Sequence, residues 1–534
     1  MKIEKIMKKT ILYSVALALA TMLTGCFDDD SQMASDTIRQ TTISGIEESY
    51  VKTAYVGEHL VINPEVTASY ADDQMTYTWL LLNEDTGTKD DEGNEVQPTV
   101  IGNTRNLDYE VQLPPGSYQV RFLATAKDNG YTAQAMTKLS VRTLFSQGFY
   151  ILKETTDGKT EIDLLTLDGQ KGNNQMTQVN GAPMDGRPVS LYPNYNMYYI
   201  NPDNDQMEAT NSVTITTDKL KVGVFRSSDF KPVITRDNLM YDKMDTNEKV
   251  YGTFSTAFGY TVLLTSKGLY NTSAKAAYQS PSTGQFGLPV SECGGSPYFF
   301  SDCKHAGGGA LWDERSHSLT AFDYNFGASP LLYADLTGME DTQNLSTFDC
   351  LHCGFSSLAG TATGTFILED KTSGKRYLYL ISSSFFGSSL EKRVEIPAGS
   401  HAAKATAFST NSRSASYIYC VDGGKVYALI FNSDDLSEIE LKFDGIGEGE
   451  QVSYVANQYW SPMLSTGDTF DYLVVATQKS GQYKLHFYNM NGGAPVGSPV
   501  LSTEGEGTVR KVRYLNEAYD FNDSRITYPY TIND

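Results

Sequence analysis

Hydrophobic and polar positions alternate most clearly in the stretch Asp471–Met490 (DYLVVATQKSGQYKLHFYNM). An apolar run at Tyr472–Ala476 and an alternating run at Tyr483–Tyr488 flank a polar Lys-Ser-Gly-Gln turn, which predicts a β-hairpin. The same shape recurs at Thr365–Ser382 and at Ser416–Asn432, with looser copies at Phe149–Leu167, Met197–Phe225, Gly259–Asn271 and Ala310–Asp323. Successive copies start roughly 50–60 residues apart, a spacing near that of kelch-type blades. A lone hairpin leaves its apolar side chains wet, so a run of such units implies stacking. The predicted fold is all-β, with a β-propeller of about seven blades over 144–520; six or eight blades also fit the spacing. Closure of such a ring requires Thr508–Tyr514 to pair near Phe149–Leu152 in one blade.

Residues 43–143 show a different rhythm. Short strand-like runs at His59–Ile62, Met75–Leu82, Leu107–Leu113, Tyr118–Ala126 and Ala135–Arg142 are separated by turn residues such as Pro114-Pro115-Gly116 and Asp128-Asn129-Gly130. About 100 residues of this pattern predict an immunoglobulin-like β-sandwich. Trp79 and Tyr118 fall at core positions of it. The acidic loop Glu84–Glu95 lacks the ligand spacing of a calcium loop.

The amino terminus carries an address. Lys2, Lys5, Lys8 and Lys9 precede a short apolar segment, Ile11–Leu23, as in a secretory signal. Its end, Leu23-Thr24-Gly25-Cys26, resembles the bacterial lipobox, which implies cleavage after residue 25 and lipidation (palmitate included) of Cys26. Asp28, Asp29 and Asp30 follow, and resemble the surface-export signal of lipoproteins in starch-utilisation-type outer-membrane systems. Residues 26–42 then form a polar tether and 521–534 a tail.

Composition narrows the chemistry. Sixty-four acidic residues against 42 basic ones give a net charge of −22, which disfavours phosphate backbones and excludes nucleic acid as a natural partner. The chain has no Gly-x-Ser-x-Gly elbow, His-Glu-x-x-His or P-loop, and only six His. Gly445-Ile446-Gly447-Glu448-Gly449 reads as a turn. Carboxylate pairs such as Asp203/Asp205 and Asp434/Asp435 keep glycosidase chemistry open, although each also fits a polar turn.

Five further cysteines remain. Cys293, Cys303, Cys350 and Cys353 have spacings compatible with disulfides, with unpaired thiols or with a zinc site aided by His305 or His352, whereas Cys420 lies inside an alternating strand and reads as a buried thiol. Aromatic clusters supply the candidate ligand contacts: Tyr195 and Tyr198, Trp312, and Tyr459 with Trp460, against the alternative that they pack between blades.

Signal, lipobox, the Pro114-Pro115-Gly116-Ser117-Tyr118-Gln119-Val120 segment, sandwich and propeller in this order resemble the PKD-like family of surface lipoproteins. The resemblance implies a non-catalytic, lipid-anchored protein on the outer face of the outer membrane. Its partners would be a TonB-dependent transporter and that transporter's lid-like substrate-binding lipoprotein, and its cargo oligopeptide or glycan. It implies no cofactor and supplies no binding residues. Two alternatives stand beside it: a propeller enzyme, either glycoside hydrolase or lyase, and a structural adhesin-like protein.

Overall fold

The computed structural model describes residues 41–516, apart from 55–57, 84–96, 203–204, 256–259, 274–284, 288, 302–307, 324–326, 331, 334–341, 343–344, 359–361, 385–386, 433–434 and 461–468. Two compact units emerge, one ending at Ser140 and the other starting at Val141, with Leu113–Pro115 counted in the second.

In the first unit, a five-stranded sheet is ordered Ser49–Thr53, Thr132–Arg142, Gly116–Ala126, Met75–Asn83 and Thr99–Gly102. Two small sheets accompany it: Thr41–Ser44 with Glu65–Ala68, and His59–Ile62 with Leu107–Glu110. Along Gly116–Ala126 every second side chain is buried (Tyr118, Val120, Phe122, Ala124), the period of a strand with one face on a core. Trp79 is buried in that core, its ring 4.4 Å from Phe122 and its Nε1–H donating to the Thr104 carbonyl at 3.0 Å. Gly102 is required here, because a Cβ would come within 2.9 Å of Leu107 and 3.2 Å of Trp79. The short strands Thr41–Ser44, Ser49–Thr53, Glu65–Ala68 and Thr99–Gly102 are additions to the strands that periodicity predicted. Four or five residues are too few for alternation to stand out.

The second unit is a β-propeller with seven sheets among the described residues. Blades 2 to 7 span 188–235, 250–292, 299–330, 348–395, 407–441 and 451–506, each four consecutive antiparallel strands. Blade 5 adds Leu332–Tyr333, which runs parallel to Gly387–Glu395. Blade 1 is composite: Lys171–Gly172, Thr160–Leu165 and Gly148–Glu154 are completed by the late strand Thr508–Leu515. The register runs from Gly148 opposite Leu515 to Glu154 opposite Thr508, with a shift after Leu152. The pairing that closure demands is therefore present.

The recurring hairpin is the middle pair of strands in a blade, except that the copy placed at Met197–Phe225 begins in the innermost strand of blade 2, Pro188–Ile200, and the middle pair there is Met207–Thr217 with Val222–Arg226. In blade 7, Phe470–Lys479 and Gln482–Asn491 turn through Ser480 and Gly481, both at positive φ (53° and 77°). Gly423 and Gly424 (58° and 77°) do the same in blade 6. Two positive-φ residues define the turn whose twist matches that of the strands, and glycine adopts it without a Cβ penalty. Leu473, Val474, Val475 and Ala476 are all buried, so a middle strand covers both faces, one against each neighbouring blade. That is why these segments read as continuous apolar runs.

The first strand of blades 2 to 7, and the late strand Thr508–Leu515 in blade 1, stands on the ring axis, and successive innermost strands touch: Thr508–Leu515, Pro188–Ile200 and Val250–Ser255 on one side, Phe299–Ser301, Phe348–Ser356, Ala407–Thr410 and Gln451–Trp460 on the other. Such a strand has one unpaired edge, and neighbouring side chains satisfy it. Val512 N–H donates to the Tyr454 hydroxyl (3.0 Å), and Gln458 donates to the Val512 carbonyl (3.1 Å). Asn457 N–H donates to Ser409 (3.0 Å), and Ser412 N–H to the Asn457 side chain (2.7 Å). Buried backbone groups left unpaired would each cost about 1–3 kcal/mol.

The seam between blades 1 and 7 is packed by aromatics. The fully buried Phe149 ring lies 4.5 Å from Phe487, 5.1 Å from Tyr514 and 5.3 Å from Phe470. Phe149→Ala is expected to destabilise the protein by about 3–5 kcal/mol, the range for emptying a buried Phe site. Urea unfolding followed by near-UV circular dichroism checks it; a loss below about 1 kcal/mol would mean that the seam does not hold the ring.

Candidate functional site

At the end of the axis where the innermost strands begin, a cavity of about 300 Å³ opens. Blades 1, 2, 4, 5, 6 and 7 all contribute to its lining. Tyr298, Phe408 and Tyr454 give aromatic surface, Val189, Pro297, Leu351 and Val455 aliphatic surface, and His352, Arg510 and Lys511 polar ends. Among the described lining residues there is no Asp or Glu.

Each contribution has a local cause. His352 sits on the strand Phe348–Ser356 beside a register shift between Cys350 and His352. Its Nε2 lies 2.8 Å from the Thr410 hydroxyl, which is itself 2.6 Å from that of Thr365. Burial first, and the nearby Lys511 ammonium second, push the imidazole pKa down to about 3, so the ring is neutral at physiological pH. Tyr454 spends its hydroxyl on Val512 and offers the cavity its ring. Burial raises the Tyr298 phenol above the usual tyrosine range, keeping it protonated.

The cations at the mouth share one carboxylate. Arg510 Nη2 and Nε lie 2.6 and 3.0 Å from Glu154 Oε2, while Arg187 Nε lies 3.3 Å from Glu154 Oε1. Other acids belong to other partners. Asp218 accepts the Arg187 backbone N–H, Asp349 pairs with Lys371 at 2.9 Å, and Glu314 accepts the Tyr251 hydroxyl at 3.3 Å. A second, more open cavity of about 590 Å³ lies at the rim between blades 1 and 2, lined by Met176, Met184, Leu220 and Phe225. Of its charged lining residues, Lys219 pairs with Asp185, and Arg236 holds the Asp245 and Thr246 carbonyls.

The residues singled out by sequence fall elsewhere. Tyr195, Trp312 and Trp460 are core residues, at most 4% exposed, which corrects their assignment as ligand contacts. Tyr195 accepts the Asn516 N–H with its hydroxyl, Trp460 packs tilted against Tyr514, and Trp312 packs with Phe300 and Phe366. Tyr198 and Tyr459 are half-buried near the opposite ends of the innermost strands of blades 2 and 7; the Arg413 guanidinium lies 5.5 Å from the Tyr459 ring centre. Filling the gaps between blades takes large rings, and that demand consumes these aromatics.

Cys293, Cys350, Cys353 and Cys420 are buried and joined by no disulfide, which corrects the disulfide reading for the first three. Burial pushes the Cys293 and Cys420 thiols up to about 12 and Cys350 well above its usual value, so none of these three supplies a thiolate at neutral pH. No group of His, Cys, Asp and Glu suited to a metal exists among the described residues. Cys303, His305, Asp203, Asp434, the loop Glu84–Glu95, Cys26 and Asp28–Asp30 lie outside the described residues. Gly445 and Gly449 adopt positive φ in a turn.

Sequence reasoning missed Tyr298, Phe408, Tyr454, Arg510 and Lys511. The available signal for Tyr298, Phe408 and Tyr454 was their place near or just before the start of the strand that precedes a recurring hairpin, whereas Arg510 and Lys511 lie on the late strand Thr508–Leu515 and had none.

A PKD-like family model matches residues 26–188. The matched span runs through the first unit and the first three strands of blade 1 to Pro188, where the innermost strand of blade 2 begins. No curated protein matches the chain. Among solved structures, a quinoprotein alcohol dehydrogenase-like protein from Bacteroides thetaiotaomicron VPI-5482 is 12% identical, with 87% of this chain and 96% of that one covered and a TM-score of 0.38. A protein of unknown function from Bacteroides caccae is 12% identical over 55% of this chain and 94% of that one, at 0.29. The rhamnogalacturonan lyase YesW is 12% identical over 84% and 75%, at 0.21. At these scores no function passes from them to this chain.

His352 makes stability depend on pH. Its folded pKa lies below the unfolded value, so the folded state resists a proton that the unfolded state takes up, and stability falls as pH drops from about 6.5 towards 3. The slope from this group is about 1.4 kcal/mol per pH unit. His352→Gln is expected to flatten the stability–pH curve between about pH 6 and 4, as chemical denaturation at fixed pH values would reveal; an unchanged slope would place the titration elsewhere.

Proposed function

We propose that this chain is a non-catalytic, lipid-anchored protein on the outer face of the outer membrane, a binding or assembly subunit of a TonB-dependent importer of oligopeptide or glycan. It acts beside the transporter and its lid-like substrate-binding lipoprotein. The observation that carries the reading is the axial cavity, formed by six blades and walled by Tyr298, Phe408 and Tyr454, with no carboxylate in its described lining. Hydrolysis or lysis of a glycan by paired carboxylates needs an acid and a base flanking the bond. A cavity that offers rings and cations instead suits holding a ligand. The sequence supports the location through the lipobox-like Leu23-Thr24-Gly25-Cys26 and the Asp28-Asp29-Asp30 run behind it.

Two measurements test this. Cys26→Ala is expected to shift the protein from the outer-membrane fraction to the soluble one, and a retained membrane fraction would remove the anchor. Affinity purification from membranes in mild detergent is expected to bring down a TonB-dependent transporter with its lid lipoprotein. Recovery of the chain alone under every condition that keeps the transporter intact would overturn the importer assignment.

A further inference from the structure

We infer that the axial cavity takes an uncharged sugar ring of a glycan, with His352 Nδ1 as the group that hydrogen-bonds a ring hydroxyl and the rings of Phe408 and Tyr454 as the surface that meets its C–H face. The inference deepens the reading of the cavity as a cargo site, rests on it, and chooses glycan over oligopeptide.

His352 is built into the cavity wall with one ring nitrogen held and the other left over. Nε2 lies 2.8 Å from the Thr410 hydroxyl. Gly354 makes room for that contact, because a Cβ there would strike Thr410 Oγ1 and come within 2.9 Å of His352 Nε2. The imidazole is tilted against Phe408 with ring centres 5.8 Å apart, and the residue is only 4% exposed. The two nitrogens of an imidazole point nearly opposite ways, so anchoring Nε2 turns Nδ1 away from Thr410. Nδ1 has no hydrogen-bond partner among the described residues, and His352 lines the cavity. Buried polar atoms are normally partnered, and an exception calls for a reason. The Thr410 bond accounts for one side of this ring; nothing in the fold accounts for the other.

The groups left to meet a ligand are uncharged. Burial keeps the imidazole neutral and the Tyr298 phenol protonated, and the Tyr298 hydroxyl also has no hydrogen-bond partner among the described residues. The cations of the lining are engaged, Arg510 with Glu154 and Lys511 with a partner of its own. A neutral imidazole offers one donating and one accepting nitrogen, and a phenol does both, so either tautomer of His352 finds its complement in a sugar hydroxyl. The faces of Phe408 and Tyr454 suit the apolar face of a pyranose. A peptide fits less well. Val512 has spent both backbone groups on Tyr454 and Gln458, so no strand edge is open there for a peptide to extend. A volume of about 300 Å³ stands at the small end of ligand cavities, room for roughly one or two sugar rings but not for a folded partner.

The test is calorimetric titration of the purified full chain in mild detergent with maltotriose, cellotriose, mannotriose and xylotriose, against trialanine and triglutamine. At least one trisaccharide is expected to bind with a dissociation constant below about 1 mM and more tightly than either peptide, with little change between about 50 and 500 mM salt. His352→Gln keeps an amide where Nε2 meets Thr410 and removes the group at Nδ1, and should weaken that trisaccharide about tenfold. Tyr298→Phe removes a single oxygen and should weaken it about threefold. Lys425→Met, on a surface pair of blade 6, should leave it unchanged. No trisaccharide binding at about 10 mM, which would leave water as the partner of Nδ1, overturns the inference. So does peptide binding at least as tight, or an affinity that His352→Gln leaves intact at unchanged circular dichroism. Should His352→Gln fail to fold, Tyr298→Phe decides in its place. Those outcomes leave co-purification with the importer untouched, and failure of co-purification leaves a measured sugar affinity standing, so the two readings fail separately.

Discussion

Ring closure depends on one antiparallel register, Ile151 opposite Val512, between strands that lie at the two ends of the propeller sequence. Blades 2 to 7 are each built from one continuous stretch and have local contacts to guide them. Blade 1 has no innermost strand of its own, so its inner edge is completed only when Thr508–Leu515 arrives. That exchange converts an open stack, with two exposed sheet faces, into a ring with none, and covers the inner edge of Gly148–Glu154. It also fixes the axis, because the seven innermost strands share one centre only after the seam is shut.

The seam is specified by polar groups as well as by rings. Lys153 and Asp163 form a buried ion pair at 2.7 Å on adjacent strands of blade 1, and Tyr483 of blade 7 donates its hydroxyl to the same Asp163 oxygen at 2.5 Å. The other oxygen of Asp163 accepts the Asn174 N–H at 2.6 Å. Glu161, two residues earlier, accepts the Met176 and Thr177 amides at the start of the short helix Gln175–Asn180. Removing two charges from water is costly, and such a pair breaks even only when its hydrogen bonds are complete. A slipped register would strand these charges without partners. The aromatic packing of Phe149 is tolerant of small displacements; the Lys153–Asp163–Tyr483 arrangement is not, and it makes the difference between a closed ring and the correctly closed one.

Much of this was legible in the chain. Hairpins such as 470–491 declare themselves because a positive-φ turn demands Ser-Gly or Gly-Gly while the flanking strands, sandwiched between blades, must be apolar on both faces. The short strands of the first unit were not, since Thr41–Ser44 and Thr99–Gly102 have only partly buried side chains and so little hydrophobic contrast. The site was the least legible. Its lining comes from six blades, one to three residues from each, and no local window contains more than a fragment such as Arg510-Lys511 or Leu351–Cys353. Conspicuous residues misled for a physical reason: Trp312 and Trp460 are large enough to fill inter-blade gaps, and the Cys-x-x-Cys at 350–353 lies along one strand in the core rather than around a loop.

The way the innermost strands satisfy their free edges constrains what the axis can recognise. In most sheets an unpaired edge offers backbone N–H and C=O groups to a passing strand. Here Val512 has spent both of its groups on Tyr454 and Gln458, and the Asn457 amide is taken by Ser409. A peptide therefore finds no ladder to extend at these positions, and discrimination at the axis falls to side chains. Because each blade contributes its lining residues near the start of a strand whose middle and far end are held by these bonds, the residue that faces a ligand is decoupled from those that hold the ring. Exchange of Lys511 or Phe408 alters the cavity without touching the Ile151–Val512 register or the Asp163 cluster. The architecture thus separates the two demands on this sequence: polar and aromatic groups at the seam define one closed fold, and a handful of positions at the axial mouth remain open to selection by the chemistry of whatever enters.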